Sequence, residues 1–347
     1  MLGDRLRLAR KKSGLSLRAL SEATGHRVSA QAIGKYENGK MAPGSEVLLA
    51  LSKALGEPLD FFTSPSDAEL LKVDFRKRAS TSAKERAQVE AVVLDHVERY
   101  LEVERALDLD AASRNRPVPA RRIASLDEAE ALANEVREAW DLGTDPLLDV
   151  TETLEEQGLK VFVIELPAKV DGLTCLVRSS TERDPVLAIA VNRDRALERR
   201  RLTLAHELAH LVIEDGPDVE VEKAAMRFAG AFLVPAAHLW GRIGRRRRSY
   251  PQAELMELKR LYRVSAGALL VRLEQIGAIE RSTLSYLFRT SARKWRTEEP
   301  APIEDDGSER AHRFRRLCYR ALGDDRLSAS RVAELLRVPL ATLRRSL

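Results

Sequence analysis

The chain has 347 residues, of which 44% are hydrophobic, 32% are charged and only 5% are aromatic. This length predicts two or three domains, because one domain usually holds roughly 100 to 200 residues. The composition excludes a disordered chain and argues against an aromatic-lined surface for sugars or stacked bases. The longest apolar run, residues 186–191, is too short to span a bilayer, and the first residues do not form a signal peptide. We therefore expect a cytoplasmic protein with no membrane partner.

Positive charge is concentrated near the N-terminus. The net charge of the whole chain is only +5, whereas residues 1–62 contain ten Lys or Arg against six Asp or Glu, which gives +4. Such a distribution is typical of a nucleic-acid-binding segment. The two cysteines, Cys175 and Cys318, have no metal-ligand spacing and are too few for a disulfide framework. We interpret them as inert packing thiols.

Residues 1–63 show five short helical patterns separated by turn signals. Ser16 is a candidate N-cap for the second helix. Ser29 is a candidate N-cap for a third helix, which ends near Asn38 and Gly39, two residue types that tolerate a left-handed backbone. These signals predict a compact five-helix domain.

The third helix presents polar side chains on its outer face. Gln31 has the amide that can bond an adenine edge, and Lys35 can reach phosphate. The opposite side carries Ile33 and Tyr36, which would anchor the helix to the domain. The candidate DNA-contacting residues are Ser29, Ala30, Gln31, Gly34, Lys35 and Asn38.

Residues 2–62 resemble the helix-turn-helix domain of the lambda-repressor (XRE) type. This resemblance implies binding of double-stranded operator DNA. One departure is Leu17, because the family often has a phosphate-contacting Gln there. The alternative is a small helical interaction domain that does not touch DNA. The resemblance rests on Gly14-Leu15-Ser16, Ile33, Tyr36 and Glu37-Asn38-Gly39.

The remaining chain divides at two proline-marked segments. Residues 64–112 read as a charged helical connector with an apolar face, and residues 113–120 as a linker, because two prolines in three residues exclude helix. A central domain is predicted over 121–297, followed by a Pro-rich and acidic linker at 298–308. The C-terminal helical region, 309–347, faintly resembles another helix-turn-helix and is equally compatible with a packing arm or an oligomer contact.

The central domain combines helices with three strand-like runs. Residues 159–164, 173–177 and 186–191 are rich in β-branched residues and bounded by Gly, Pro or charged residues. Helical patterns come before and after them. The predicted fold class is therefore mainly α with a small β-sheet (α+β).

The strongest chemical signal is His206-Glu207-Leu208-Ala209-His210. On a helix, residues four apart share one face, so both imidazoles can chelate one zinc ion. Glu207 then stands beside the remaining coordination position, where it can act as a general base toward a zinc-bound water. The alternative is a buried helix with two core histidines.

A catalytic zinc site needs a third protein ligand. Glu214 would lie one turn further along the same helix, too far along the axis to complete a tetrahedron with both histidines. Glu222 opens the next helix, whose small alanines allow close approach to the first. We favour Glu222, with Glu220 and His238 as its rivals.

Over about residues 120–290 the sequence resembles the ImmA/IrrE family of bacterial zinc metallo-endopeptidases. The resemblance implies a short zincin-like fold, zinc held by His206, His210 and Glu222, Glu207 as general base, and cleavage of a protein such as a DNA-bound repressor. The departures are apolar exchanges at Phe232 and Val234, where the family usually has Leu and Met. The motif is His206-Glu207-x-x-His210 followed by Glu222-x-x-Ala225-x-x-Phe228-Ala229-x-x-Phe232-Leu233-Val234-Pro235.

Further features bear on catalysis less directly. A free strand edge at 186–191 could align a substrate by main-chain pairing. Tyr250 and His238 could polarise an oxyanion, although a surface aromatic and a solvated imidazole explain them as well. The four consecutive arginines at 245–248 could contact phosphate or an acidic partner, or form a solvated loop.

Two hypotheses follow for the whole chain. In the first, a DNA-binding regulator is fused to a zinc endopeptidase that cleaves a partner regulatory protein or the chain itself. In the second, an antitoxin-like repressor uses its zincin domain to bind a toxin without proteolysis. Glu207 favours the first, because a purely structural zinc has no use for a base, whereas the fused DNA-binding domain favours the second. A two-fold operator would make a homodimer the expected state.

Overall fold

The computed structural model describes residues 2–64, 68–74, 82–109, 118–179, 185–244, 250–295 and 297–345. The arginines at 245–248 and most of the predicted 113–120 linker lie outside these residues. In the described chain the helices are α1 Leu2–Lys12, α2 Leu17–Ala23, α3 Ala30–Glu37, α4 Ser45–Leu55, α5 Leu59–Thr63, α6 Ala83–Ala106, α7 Leu126–Ala139, α8 Val150–Glu156, α9 Leu197–Val212, α10 Val221–Leu233, α11 Ala236–Ile243, α12 Gln252–Tyr262, α13 Ala266–Gln275, α14 Arg281–Arg289, α15 Arg313–Gly323, α16 Ala329–Leu336 and α17 Leu340–Arg345. The strands are β1 Ala68–Asp74, β2 Lys160–Ile164, β3 Gly172–Ser179 and β4 Val186–Asn192.

The chain divides into two compact units. The first unit contains Met1–Ser113, Cys175–Ala188 and His312–Leu347, and the second contains Arg114–Thr174 and Ile189–Ala311. The C-terminal segment therefore belongs to the same unit as the N-terminal helices. The sequence predicted domain boundaries at 63, 121 and 297. These boundaries remain predictions, because the two compact units of the structure begin and end at other residues.

The N-terminal helices of the first unit form the expected five-helix domain. Ser16 and Ser29 cap α2 and α3 by accepting hydrogen bonds from the backbone N–H groups of Ala19 and Ala32. Gly3 lets α1 approach the end of α3, because a Cβ there would lie 2.6 Å from the carbonyl oxygen of Tyr36. The core of this domain consists of Leu6, Ala9, Leu20, Val28, Ile33, Tyr36, Leu51, Leu55 and Phe62.

Helix α6 is the structural centre of the first unit. It packs against both α1 and α15. Its side chains at Val93, Val97 and Tyr100 are fully buried. Ser82 and Glu85 form a capping box that begins the helix. Asp95, 3% exposed, receives ion pairs from Lys12 of α1 and from Arg337 just after α16. α6 therefore joins the N-terminal and C-terminal helices through buried charge pairs.

The second unit is organised around α9 and α10. These two helices pack together most extensively, and α7 packs on α10 almost as extensively. Arg137 of α7 donates a 2.6 Å hydrogen bond to the carbonyl of Phe232, and Arg272 of α13 donates one of 2.9 Å to that of Val234. These guanidinium groups satisfy carbonyls at the end of α10 that have no partner within the helix.

The predicted linker at 298–308 belongs to the second unit and packs on α9. Asp305 pairs with Arg200 at 2.8 Å, and the backbone N–H of Ile303 bonds Glu198 at 2.9 Å. Just beyond it, Glu309 is fully buried and pairs with Arg201 of α9. The segment is thus a strap over the first half of α9, and its acidic residues meet buried cations there.

The four strands of the described chain form one sheet in the order β1-β3-β4-β2. The three predicted strands are confirmed as β2, β3 and β4. β4 lies inside the sheet, so the prediction of a free edge there was wrong. Its residues are nearly all buried, which is typical of a central strand.

One secondary-structure prediction is corrected. Residues 68–74 form β1, whereas the sequence predicted helix throughout the 64–112 connector. A short apolar run does not distinguish helix from strand, and pairing with the distant β3 decides here. Among the described residues, no helix combines the length and the apolar character that crossing a bilayer requires.

Candidate metal centre and DNA-binding surface

The metal motif lies on α9, which follows β4 directly. The helix is buried nearly all round, at Leu204, Ala205, Leu208 and Ala209 among others, as the sequence predicts for a core helix. Asn192, at the end of β4, donates hydrogen bonds to two loop carbonyls, Leu166 at 3.2 Å and Val170 at 3.0 Å. These contacts fix the connection from which α9 begins.

Three side chains converge at the motif. The Nε2 atoms of His206 and His210 are 3.1 Å apart, and Glu222 places its carboxylate oxygens 3.4 Å from the first and 3.8 Å from the second. In a tetrahedral zinc site, donors at about 2.1 Å from the ion lie about 3.4 Å from one another. Among the described residues, these three form the only cluster of at least three His, Cys, Asp or Glu side chains spaced to hold a metal ion.

The donor set fits a divalent cation. Glu222 Oε1 is buried and has no hydrogen-bond donor within the described part of the chain, although burying a carboxylate oxygen without a partner is costly. Two imidazoles and one carboxylate are the protein ligands of one common class of catalytic zinc site. The cluster therefore has the shape and the chemistry of a three-ligand site with one position left for water or substrate.

Glu222 reaches the histidines because α10 packs closely on α9. Both helices carry small, fully buried residues, Ala225 and Ala229 on α10 and Ala205 and Ala209 on α9. Small side chains permit a short distance between helix axes. Glu222 lies in the first turn of α10 and so faces the motif.

The other ligand candidates lie elsewhere. Glu214 lies beyond the end of α9 at Val212, so it does not continue that helix as the sequence suggested. Glu220 pairs with Lys223 at 2.9 Å. His238 Nδ1 is 2.7 Å from the hydroxyl of Tyr262, a buried phenol whose pKa burial raises to about 12.

Glu207 is held in place by a residue that the sequence analysis did not identify. Thr174 of β3 donates a 2.8 Å hydrogen bond to Glu207 Oε2. The approach of β3 to α9 requires Gly172, because a Cβ there would lie 2.5 Å from Thr203 Cγ2 and 3.1 Å from the carbonyl oxygen of Ala190. No local pattern could have revealed Thr174, since it precedes Glu207 by 33 residues.

The outer face of α3 has the exposure that the sequence predicted. Ile33 and Tyr36 are buried, and the candidate DNA-contacting residues are exposed or half-buried. Leu17, which stands where the family often has Gln, packs against the core of the domain and lies close to Gly34. Asn38 accepts a 2.7 Å hydrogen bond from Arg7. The exposed or half-buried candidates are Ser29, Ala30, Gln31, Gly34, Lys35 and Asn38.

A buried ion pair sets the position of α3 against α1. Arg10 donates two hydrogen bonds to the Glu37 carboxylate, at 2.5 and 2.8 Å, and Glu37 is only 6% exposed. A paired arrangement of this kind constrains both side chains more than a single contact does.

Comparison with protein families agrees with both parts of this geometry. Residues 6–62 match a family model described as helix-turn-helix, and residues 154–274 match one described as an IrrE N-terminal-like domain. The chain joins a helix-turn-helix domain to an IrrE N-terminal-like domain. The second match contains His206, His210 and Glu222. Searches of curated proteins and of solved structures found no significant match.

The two matches coincide with the resemblances seen in the sequence. The helix-turn-helix domain is the DNA-binding part of a regulator, and the IrrE N-terminal-like domain is the protease-like part. The fused architecture and the α+β fold class are thereby confirmed.

Proposed function

We propose that the protein is a DNA-binding transcriptional regulator whose IrrE N-terminal-like domain is a zinc-dependent endopeptidase. Its substrate is a partner regulatory protein or the chain itself. The observation that carries this proposal is the Glu207 carboxylate, held by Thr174 beside the cluster of His206, His210 and Glu222. A purely structural metal site has no use for an oriented base next to its ligands. Because the helix-turn-helix domain acts on DNA, we propose the cytoplasm as the place of action.

The residues divide the chemistry among them. His206, His210 and Glu222 would hold the metal, and a zinc ion bound there would act as a Lewis acid that polarises a peptide carbonyl and activates water. Glu207 takes the proton from the attacking water and passes it to the leaving amine. Thr174 keeps the Glu207 carboxylate in one orientation through its 2.8 Å hydrogen bond.

The helix-turn-helix domain binds double-stranded DNA through α3. Gln31 is exposed and has the amide that can bond an adenine edge, and Lys35 is exposed and can reach phosphate. Ser29 and Ala30 lie at the start of the helix, Gly34 lies on its outer face and Asn38 follows its end. We assign these side chains to DNA contact, with a homodimer on a two-fold operator.

The decisive experiment measures zinc content and partner cleavage together. We expect about one zinc per chain in the wild type and in Glu207→Gln, with cleavage lost in the latter because the base is missing. Glu222→Ala is expected to lose both zinc and cleavage. Glu220→Ala is the matched control, since Glu220 is exposed and pairs with Lys223, and it is expected to keep both.

The same experiment separates the rival function. An antitoxin-like repressor would bind zinc and a toxin but leave the toxin intact, in the wild type as well as in Glu207→Gln. If neither protein cuts any partner, including the product of a neighbouring gene, the endopeptidase proposal is wrong. Absence of zinc from chelator-free wild type would contradict both functions of this domain.

A further inference from the structure

The C-terminal segment His312–Leu347 is the most positively charged part of the first unit. It contains nine arginines and no lysine, against the three acidic residues Asp324, Asp325 and Glu334, which gives a net charge of +6. The first 62 residues, which include the whole helix-turn-helix domain, carry only +4. The family matches do not extend to this segment.

Three of the nine arginines attach the segment to α6. Arg313 bonds Glu104 at 2.7 Å and the hydroxyl of Tyr100 at 2.9 Å. Arg331 forms two hydrogen bonds to Glu102, at 2.6 and 2.7 Å, and Arg337 forms two to Asp95, both at 2.8 Å. The segment also buries seven apolar side chains of its own: Leu317, Cys318, Ala321, Val332, Ala333, Leu335 and Leu343.

The other six arginines are exposed. Arg320 pairs with Asp324 and Arg326 with Asp108. Asp324 and Asp325 are the exposed acids of the segment, so its outer surface carries an excess of positive charge. Arg315 bonds the hydroxyl of Tyr319, and Arg345 bonds a backbone carbonyl. Within the described chain, Arg315, Arg344 and Arg345 form no ion pair. These six are Arg315, Arg316, Arg320, Arg326, Arg344 and Arg345.

This surface is fixed to the helix-turn-helix domain through α6. Arg5 of α1 pairs with Glu98 of α6, and Gln88 of α6 donates a 3.3 Å hydrogen bond to the carbonyl of Lys12. Asp95 receives Lys12 from the N-terminal side and Arg337 from the C-terminal side. The arginine surface and α1 are therefore both attached to α6 by charged and polar contacts.

We propose that the C-terminal segment is a second DNA-contacting surface, whose exposed arginines bind backbone phosphates beyond the reach of α3. The guanidinium group suits this role, because it stays charged and binds phosphate oxygens in pairs. The occupant is a DNA backbone, because the surface belongs to the same unit as the DNA-binding domain and complements phosphate in charge. This inference rests on the proposed DNA-binding function.

The test measures how DNA affinity depends on salt. The full-length protein is titrated with a labelled DNA duplex of random sequence at several salt concentrations, since phosphate contacts do not require an operator. Each lost phosphate contact reduces the slope of log K against log salt by about 0.9. For the triple variant Arg315→Ala, Arg344→Ala and Arg345→Ala we expect the slope to fall by about 2 to 3.

A matched control separates local contact from net charge. The triple variant Arg281→Ala, Arg289→Ala and Arg293→Ala removes the same charge from exposed positions of the second unit and is expected to keep the wild-type slope. Equal slopes for the two triple variants would overturn the inference. Circular dichroism checks that both variants fold.

A third variant distinguishes the two proposals. Gln31→Ala combined with Lys35→Ala should weaken binding through α3. If this variant weakens binding while the C-terminal triple variant has no effect, only the second surface is wrong. If the wild type does not bind the duplex even at low salt, the DNA-binding function and the second surface are both wrong.

Discussion

Single residues show how the candidate metal centre is oriented. Glu207 belongs to the motif, but its carboxylate direction depends on Thr174 of β3. A hydroxyl that donates to a carboxylate restricts its rotation, which matters when a proton must move at a set distance. The position of the base is therefore a property of the sheet as well as of the helix that carries it.

His96 provides a prediction at the residue scale. Burial and the neighbouring Arg99 lower the pKa of His96 to about 3, against the raising effect of Asp95. Its Nδ1 accepts a 2.9 Å hydrogen bond from Arg99, so the folded protein holds the neutral ring. The unfolded chain has an ordinary histidine pKa of about 6.5 and takes up a proton at a higher pH than the folded protein.

Stability is therefore expected to fall as the pH decreases below about 6.5, by up to about 1.4 kcal/mol per pH unit from this group. Above that pH neither state binds the proton and the contribution is constant. Urea denaturation at neutral and mildly acidic pH measures the effect. His96→Asn keeps an acceptor for Arg99 without titrating, and should show a weaker loss. An identical loss in both proteins would refute the assignment to His96.

At the scale of elements, the contact between β3 and α9 depends on a glycine. Gly172→Ala would place a methyl group 2.5 Å from Thr203 Cγ2 and 3.1 Å from the Ala190 carbonyl oxygen. We expect a loss of about 1 to 3 kcal/mol in the free energy of unfolding, the usual cost of overpacking.

The matched rescue is Thr203→Ser. It removes the clashing methyl and keeps the hydroxyl that donates to the Arg199 carbonyl at 2.9 Å. Combined with Gly172→Ala, it should restore a large part of the lost stability, as read from urea denaturation midpoints. A double variant no more stable than Gly172→Ala would show that the strain lies elsewhere, for example at the Ala190 carbonyl.

Helix α6 also illustrates how charge organises packing. Burial alone would raise the pKa of Asp95, but Arg99, Lys12 and Arg337 together lower it below its ordinary value. The carboxylate is thus charged and balanced by cations from three directions. A buried cluster of opposite charges stabilises the fold little relative to apolar packing, but removing one of its charges leaves the others unbalanced.

At the scale of the whole molecule, the C-terminus returns to the unit that contains the N-terminus. This arrangement predicts different effects for two arginines on the same helix. Arg313 pairs with Glu104, which is 1% exposed, whereas Arg315 is exposed and donates hydrogen bonds to the Tyr319 hydroxyl.

Arg313→Ala should cost about 3 kcal/mol, because it removes a cation that pairs with a buried carboxylate. Arg315→Ala should change stability by less than about 0.5 kcal/mol. Chemical denaturation followed by circular dichroism measures both. Equal effects would mean that the C-terminal segment is not attached through Arg313.

Local patterns predicted much of the fold and part of the candidate site. The five N-terminal helices, the caps at Ser16 and Ser29 and three of the strands were predicted correctly, because each depends on neighbouring residues. The i, i+4 spacing of His206 and His210 placed both imidazoles together, again within one helical turn. Two predictions failed, for different reasons. β1 was predicted as helix because its partner β3 is distant in sequence, and β4 was predicted as an edge because a local pattern does not give the order of strands in a sheet.

The amino-acid sequence by itself determined the fused architecture, the fold class and the residue types of the candidate metal centre, since motif spacing and helical periodicity are local properties. Only the tertiary structure decided that Glu222 approaches both histidines, that Thr174 orients Glu207 and that the C-terminal arginines share a unit with the helix-turn-helix domain. The reason is physical. These contacts join residues far apart in the chain, and they form only when the apolar faces of separate helices and strands pack together.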